Sequence, residues 1–244
     1  MRIRSTTNRV LVGVDPSHPG TGGPDAGGTM LLLPHNSPLS WLARAAFDAE
    51  DPVARMARSL CGSIAAAVEP GEAPIQSTGV IGLDTTLEAS ILAANLAISY
   101  AQLGTPTVLI DANIQISRQH ALFGVAASGG LIAALSGEGS ARALAEPTAV
   151  RNLSVLPAGS PSGDASVLLD GERFHRRAMP LLESFATMIV DVGAPFGEPP
   201  SMCGAIDAMI LVVRRDVTTL EAVRRMGARL ADMKTRVVGI VVAE

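Results

Sequence analysis

Short apolar runs alternate with longer segments of helical spacing along most of this chain. The runs are continuous and rich in β-branched residues, which is typical of parallel strands buried on both faces. The longer segments repeat apolar residues every three to four positions, as one face of a helix requires. We therefore predict a single-domain α/β fold with a mostly parallel sheet and helices on both faces. The predicted strands are 79–83, 107–110, 153–156, 188–192, 209–214 and 237–242, and the predicted helices are 48–67, 87–103, 118–123, 130–135, 172–185 and 218–234.

The first 45 residues differ in composition from the rest. The Pro- and Gly-rich stretch SHPGTGGPDAGG occupies 17–28 and lacks the Gly-x-Gly-x-x-Gly spacing of a dinucleotide site. Two apolar runs beside it, 9–15 and 29–33, have the length of short strands. We predict a flexible extension over 1–45 and a folded domain over 46–244.

Three segments that follow predicted strands form the candidate site. Ligands of open parallel sheets bind at the carboxyl ends of the strands, so we expect the site at 83–90, 111–115 and 191–195. Residues 83–90 read LDTTLEAS, and no lysine occurs anywhere in 71–104. Thr85 and Glu88 have the Ser/Thr-x-x-Glu spacing of a capping box, which predicts a helix start that satisfies its own backbone donors.

The composition excludes several classes of function. The net charge is −4, with one Trp and one Tyr, so the basic and aromatic surface of a nucleic-acid-binding protein is missing. Cys61 and Cys203 form no Cys-x-x-Cys pair, so we expect a reduced, cytoplasmic protein without a structural metal. No apolar run approaches the roughly 20 residues of a membrane helix, so we expect no direct membrane insertion.

From about residue 51 onward, several stretches occur in the order found in one family. DPVARMARSL, ASILAANLA, VLIDANIQISRQHALFGV, NLSVLPAGSPSGDASVLL and TMIVDVGAP are the stretches concerned. Together they resemble the bacterial tyrosine kinases (BY-kinases) of capsule and exopolysaccharide biosynthesis and, more distantly, the MinD/ParA ATPases. The resemblance implies a P-loop NTPase-like fold and, in an active member, ATP and Mg²⁺.

The resemblance also implies a phosphate-binding loop, and that loop is altered here. The family's lysine position falls on Ala89, and the preceding glycine falls on Glu88. Ser90 stands at the metal-ligand position. Thr85 and Thr86 take the other loop positions that would face a nucleotide.

The later motifs are partly retained. In the second nucleotide motif Asp111 remains, but the second acid is Asn113 and the basic position is Gln115. Asp191 remains at the Walker B position of the resemblance. The base-reading Asn of the family falls on Ala243.

The leading helix of the family supplies contacts between subunits. Arg58 and Leu60 match its pattern, whereas Arg55 stands at its Glu position and Cys61 at its second Arg position. We name Arg55, Arg58 and Leu60 as candidate interaction residues, and a homo-oligomer stays open. The family's tyrosine cluster has no counterpart in this sequence, whose one tyrosine is Tyr100.

A phosphate at the altered loop would meet Asp84 and Glu88 in place of a lysine. Two like charges about 4 Å apart repel by roughly 4 kcal/mol at an effective dielectric constant of 20. We therefore expect no cofactor, no metal at Ser90 and Asp111, and only remnants of a catalytic site in Asp111 and Asp191. The prediction is a catalytically degenerate kinase-like protein, held at the cytoplasmic side of the inner membrane by a polysaccharide co-polymerase that regulates chain length.

Two alternatives stay open. Ser90, Asp111 and Asp191 would also serve an active ATP-dependent tyrosine kinase or ATPase with a rearranged site. A positioning scaffold of the MinD/ParA type in pilus assembly would share the same fold.

Overall fold

The computed structural model describes residues 13–14, 32–33, 37–85, 87–160, 165–194 and 198–244. Within these residues the chain forms one sheet of eight strands with helices on both faces. The strands are β1 (Gly13–Val14), β2 (Ser77–Gly82), β3 (Thr107–Asp111), β4 (Glu146–Pro147), β5 (Leu153–Leu156), β6 (Thr187–Gly193), β7 (Ala208–Arg214) and β8 (Arg236–Ala243). The α-helices are α1 (Pro52–Ala66), α2 (Leu87–Gln102), α3 (Gln119–Phe123), α4 (Gly130–Ser136), α5 (Ala141–Leu144), α6 (Gly171–Arg177) and α7 (Leu220–Asp232). Short 3-10 helices cover Arg44–Ala46, Ala165–Leu168, Met179–Glu183 and Ser201–Ala205.

The strand order is β1-β8-β7-β2-β6-β3-β5-β4, and every neighbouring pair is parallel except β4 with β5. Because β2, β6 and β3 are adjacent and parallel, their carboxyl ends meet at one edge of the sheet. The predicted mostly parallel α/β fold is confirmed.

Two apolar layers enclose the sheet. On one face α1 and α2 pack with residues such as Leu60, Leu92 and Leu96 against the strands. On the other face Phe174 of α6 and Leu230 of α7 fill the core. Helix α2 is buried along nearly its whole length, which explains why its sequence is apolar on all sides.

The predicted helix 172–185 is interrupted. Helix α6 ends at Arg177, and a separate 3-10 helix runs over Met179–Glu183. Pro180 lies in the first turn of that second helix. A proline there has no backbone N–H for the preceding helix to use, so the chain restarts in a new direction.

The folded domain begins before residue 46. Leu39, Ala43 and Ala45, which were predicted to lie in the flexible extension, are buried in the core. The Asn95 side chain of α2 holds this segment, since it accepts a hydrogen bond from Ala45 N (2.8 Å) and its Nδ2 donates to the carbonyl of Leu42 (3.0 Å). The apolar contacts and these buried bonds fix residues 37–45 against α2.

Most of the remaining N-terminal predictions lie outside the described residues. Of the predicted strand 9–15, residues 13 and 14 are described, and they form β1 with Gly13 opposite Val242. Of the run 29–33, residues 32 and 33 are described; they form no strand, and Leu33 N donates to Ala46 O (2.7 Å). The Pro- and Gly-rich stretch is not among the described residues.

No helix in the described part of the chain combines the length and the hydropathy that a membrane crossing would need.

Candidate functional site

Two carboxylates meet at the carboxyl ends of neighbouring central strands. Asp111 is the last residue of β3, and it lies directly opposite Asp191 of β6 in the parallel register. Neighbouring strands are about 4.8 Å apart, so the two side chains share one small region. Both residues are fully buried. The sequence-based expectation that these acids come together is correct.

Asp111 is held by backbone donors of the segment that follows it. Its Oδ2 accepts from Arg118 N (3.0 Å) and Gln119 N (2.9 Å), and its Oδ1 accepts from Asn113 N (3.2 Å). Burial and the neighbouring charge of Asp191 raise the pKa of Asp111 to about 8, although these three bonds lower it. The carboxyl group therefore keeps a proton near neutral pH.

Asp191 is held by the side chain of Gln119. The Gln119 Nε2 donates to Asp191 Oδ2 (2.7 Å) and to the backbone carbonyl of Ser90 (3.0 Å), while Gly193 N donates to Asp191 Oδ1 (3.1 Å). Burial raises the pKa of Asp191, and the bonds from Gln119 and Gly193, the nearby Ser90 hydroxyl and the charge of Arg118 oppose that rise. Gln119 thus connects α3, α2 and β6 through one amide group.

Several polar atoms around the acid pair lack a full set of partners. The buried atoms Asn113 Nδ2, Arg118 Nε and Gln119 Oε1 have no hydrogen-bond partner in the described structure. The Ser90 hydroxyl lies close enough to Asp191 to lower its pKa, but it makes no hydrogen bond of good geometry. Asn113 accepts from Ile116 N (3.3 Å) through Oδ1. The region therefore retains unused hydrogen-bonding capacity.

The loop between β2 and α2 is short and folds back on itself. A side chain at Gly82 would collide with the backbone carbonyl of Thr85, so only glycine fits this turn. Thr85 is buried and Asp84 is exposed, and Thr86 lies outside the described residues.

The predicted capping box is not formed in the described residues. Helix α2 begins at Leu87, and Thr85 lies two residues before it. No hydrogen bond between Thr85 and Glu88 is present among the described residues, and the prediction of that pair is wrong. The helix starts at residue 87 as predicted, so the Ser/Thr-x-x-Glu spacing alone was not enough to identify a capping pair.

The three candidate interaction residues differ in exposure. Leu60 is buried in the core beneath α1 and is not available to a partner, so this prediction is wrong. Arg58 is half-buried, and its guanidinium donates to the carbonyl of Ala49. Arg55 is exposed on α1 and is the one of the three that presents its side chain to solvent.

An apolar groove of about 220 Å³ lies beside the start of α2 and the ends of β7 and β8. Its lining includes Ile91, Val212 and Ala243, together with the carboxylates of Glu88 and Glu244. Ala243 is the position where the resemblance places a base-reading Asn. The alanine side chain offers no hydrogen bond, and the Glu244 carboxylate forms an ion pair with Arg215 (3.0 Å).

With Gln119 in place, the described residues do not fit a bound ATP·Mg²⁺. No cluster of three His, Cys, Asp or Glu side chains that could hold a metal is found among them. The chain's one lysine, Lys234, follows α7 and precedes the start of β8, at the opposite edge of the sheet from the acid pair. The Gln119 amide also donates to one carboxylate oxygen of Asp191, at 2.7 Å.

Sequence reasoning missed Arg118 and Gln119. A signal was present, because the predicted helix 118–123 starts a few residues after the strand that ends at Asp111. A helix start carries free backbone N–H groups, and a nearby carboxylate is their natural acceptor. The side-chain contact of Gln119 with Asp191 depends on the three-dimensional turn and has no sequence pattern of its own.

Known proteins with similar sequences are tyrosine kinases. No protein-family model matches the chain. It is 26% identical over 169 residues to the tyrosine-protein kinase Wzc of Salmonella typhi, which covers 66% of this chain and 22% of that protein. It is 31% identical over 102 residues to CapB of Staphylococcus aureus, also named as a tyrosine-protein kinase, covering 42% of this chain and 45% of CapB. The chain thus spans less than half the length of these relatives.

Solved structures share the fold. The chimerical protein CapA2B2 matches with a TM-score of 0.73 at 21% identity, covering 84% of this chain and 90% of that chain. The kinase domain of the Escherichia coli tyrosine kinase ETK matches with a TM-score of 0.74 at 20% identity, covering 86% and 82%. The cell division ATPase MinD of Pyrococcus furiosus matches with a TM-score of 0.59 at 18% identity, covering 68% and 70%.

The fold is therefore that of the P-loop NTPase-like proteins that include MinD. Within that class, this chain is a relative of the bacterial tyrosine kinases.

Proposed function

We propose that this chain is a catalytically degenerate relative of the bacterial tyrosine kinases that acts as a structural or regulatory partner. The observation that carries the proposal is the self-contained acid pair. Asp111 and Asp191 receive their hydrogen bonds from the chain's own Gln119, Arg118 and Gly193. In a working site these oxygens would face metal, water and phosphate.

The position of the lysine side chain supports the same proposal. A phosphate-binding loop uses a lysine on the outer phosphates, and here the loop carries Asp84 and Glu88 instead. Lys234 lies beyond the amino end of β8, a strand of eight residues, which spans about 25 Å at roughly 3.3 Å per residue. A lysine side chain cannot cover that distance to the acid pair.

The proposed partner is a membrane polysaccharide co-polymerase that regulates chain length, with this protein on its cytoplasmic side. This part rests on the family resemblance and on the relatedness to kinases such as Wzc and CapB. The exposed side of α1 with Arg55 is the surface proposed for contact between subunits or with the partner.

A phosphotransfer assay tests the degenerate state. Incubation with labelled ATP and Mg²⁺ should give no incorporation into this protein, into a kinase substrate peptide, or into the co-polymerase segment. Incorporation that disappears in Asp191→Ala would instead establish the active kinase with a rearranged site. The orphaned Ser90 hydroxyl is the observation that favours that second candidate.

Complex formation tests the partner. The protein and the cytoplasmic segment of the proposed co-polymerase should elute together in size-exclusion chromatography. Arg55→Glu should weaken the complex, and Arg224→Glu, an equal charge change at an exposed site on α7, is the matched control. Equal behaviour of both variants would argue against the α1 surface. A gene for a secretion ATPase beside the gene for this protein, in place of a gene for a co-polymerase, would favour the scaffold of pilus assembly.

A further inference from the structure

The Gln119 side chain lies at the centre of the acid pair although it begins a helix of five residues. It is fully buried, and its amide Nε2 donates to Asp191 Oδ2 at 2.7 Å and to the Ser90 carbonyl at 3.0 Å. Both acceptors carry partial or full negative charge. Among the hydrogen bonds of the described residues, the Gln119 amide is therefore the one donor to Asp191 Oδ2. This donor is a neutral group.

A divalent cation would use the same atoms. Mg²⁺ and Mn²⁺ prefer carboxylate, hydroxyl and water oxygens, and Mg²⁺ binds them at about 2.1 Å. Ser90 Oγ, Asp111 and Asp191 provide oxygens of these types, and the Ser90 hydroxyl has no partner of good geometry among the described residues. A bonded amide nitrogen 2.7 Å from the Asp191 oxygen leaves no room for an ion at that position.

The backbone around Gln119 would survive loss of its side chain. Asp111 is bonded to the backbone N–H groups of Arg118 and Gln119, which every substitution at 119 except proline retains. The helix end is fixed by Gly124 in the left-handed conformation, with φ at 64°. The start of α3 should therefore stay in place when the amide is removed.

We propose that Gln119 is an internal plug that closes a latent divalent-cation site formed by Ser90, Asp111 and Asp191. Its amide substitutes for the cation and keeps the acid pair satisfied without one. This inference rests on the proposed function, because it names the residue that holds the site in its degenerate state. It adds that the oxygen ligands behind the plug are still competent.

Removal of the plug tests the proposal. Gln119→Ala should acquire Mn²⁺ and Mg²⁺ binding in the absence of nucleotide, measured by isothermal titration calorimetry and by Mn²⁺ electron paramagnetic resonance. The thermal unfolding midpoint should rise by about 5 °C or more at a cation concentration about 100 times the Kd. The wild type and Gln115→Ala should show neither effect. Gln115 is exposed in the same loop and makes the matched control.

A second set of variants shows whether a result reflects cation binding or a loss of folding stability. Gln119→Ser keeps a small polar group and should behave like Gln119→Ala, while adding Asp191→Asn to either should abolish the gained binding. Absence of cation binding in folded Gln119→Ala and Gln119→Ser, or equal binding by the wild type, would overturn the proposal. So would failure of both variants to fold with or without cation, because the amide would then be a structural requirement.

The outcome separates this inference from the proposed function. Phosphotransfer by the wild type would contradict the degenerate state whatever the variants do. If Gln119→Ala and Gln119→Ser bind no cation and the wild type is inactive, only the proposed role of Gln119 is contradicted, and the proposed function stands.

Discussion

Raising the pH should destabilise this protein through Asp111. Its pKa rises from 3.8 to about 8 in the folded state because of burial and the neighbouring charge of Asp191. Between about pH 4 and pH 8, Asp111 therefore holds a proton in the folded protein that it has lost in the unfolded chain. The free energy of unfolding must fall as the pH rises through this window and level off above it.

The magnitude follows from the same two values. One pKa unit corresponds to about 1.36 kcal/mol, and the two values differ by about 4, so the full effect is on the order of 5 kcal/mol. That is a large part of the free energy of unfolding of a typical folded domain, which is about 5–15 kcal/mol. The loss should be visible as a steady fall of the urea midpoint, at constant m-value, between pH 5 and pH 8 or so.

Asp111→Asn should change this profile in a defined way. The amide cannot ionise, so the urea midpoint of the variant should fall less steeply with pH than that of the wild type, and the remaining slope comes from Asp191, whose pKa burial also raises. One of its atoms becomes a donor facing a backbone N–H, which costs about 1 kcal/mol at low pH. The variant should therefore be less stable than the wild type near pH 5 and more stable near pH 9. Circular dichroism during urea titration measures both curves.

The matched control is Asp232→Asn, which removes the same charge at an exposed position of α7. Its curve should run parallel to that of the wild type. An Asp111→Asn variant that is destabilised equally at every pH, with an unchanged slope, would refute the reasoning.

Three further substitutions test the packing that supports the site. Asn95→Ala should lower the unfolding free energy by about 2–4 kcal/mol, because it leaves Ala45 N without its buried acceptor. A loss below about 0.5 kcal/mol in urea titration would contradict the role of Asn95 in holding residues 37–45 against α2. Asp207→Ala should cost about 1–3 kcal/mol, since its carboxylate accepts from the backbone N–H and the hydroxyl of Ser77 at the start of β2, and Asp232→Ala is the control. Gly193→Ala should cost about 1–3 kcal/mol because φ is 76° and the new methyl group would overlap the Asn113 amide; unchanged stability and unchanged Asn113 amide signals in NMR spectra would count against that geometry.

The fold could be predicted because its signals are local. The central strands are apolar and β-branched over their whole length, as strands covered by helices on both sides must be. The apolar periodicity over 172–185 predicts one continuous helix, but Pro180 interrupts it because proline has no backbone N–H to donate. The burial of Leu39, Ala43 and Ala45 depends on contacts with α2, far away in sequence, and no local pattern indicates it.

The site could be predicted in part for a similar reason. The rule that parallel strands present their carboxyl ends at one edge brought Asp111 and Asp191 together correctly. The role of Gln119 could not be predicted from the sequence, because its contact with Asp191 arises from the path of the chain after β3. The absence of a nearby lysine and the start of α2 at residue 87 could be predicted from the sequence, whereas the lack of a Thr85–Glu88 hydrogen bond among the described residues could not.

Titration of the wild-type protein with ATP and Mg²⁺ in a calorimeter tests the degenerate state most directly. The altered loop, the satisfied acid pair and the distant Lys234 predict no measurable heat of binding at micromolar protein, and a dissociation constant weaker than about 1 mM, which corresponds to about −4 kcal/mol. The Escherichia coli kinase domain that shares the fold serves as the binding control. Saturable binding by the wild type with a micromolar dissociation constant, about −8 kcal/mol, would contradict the account.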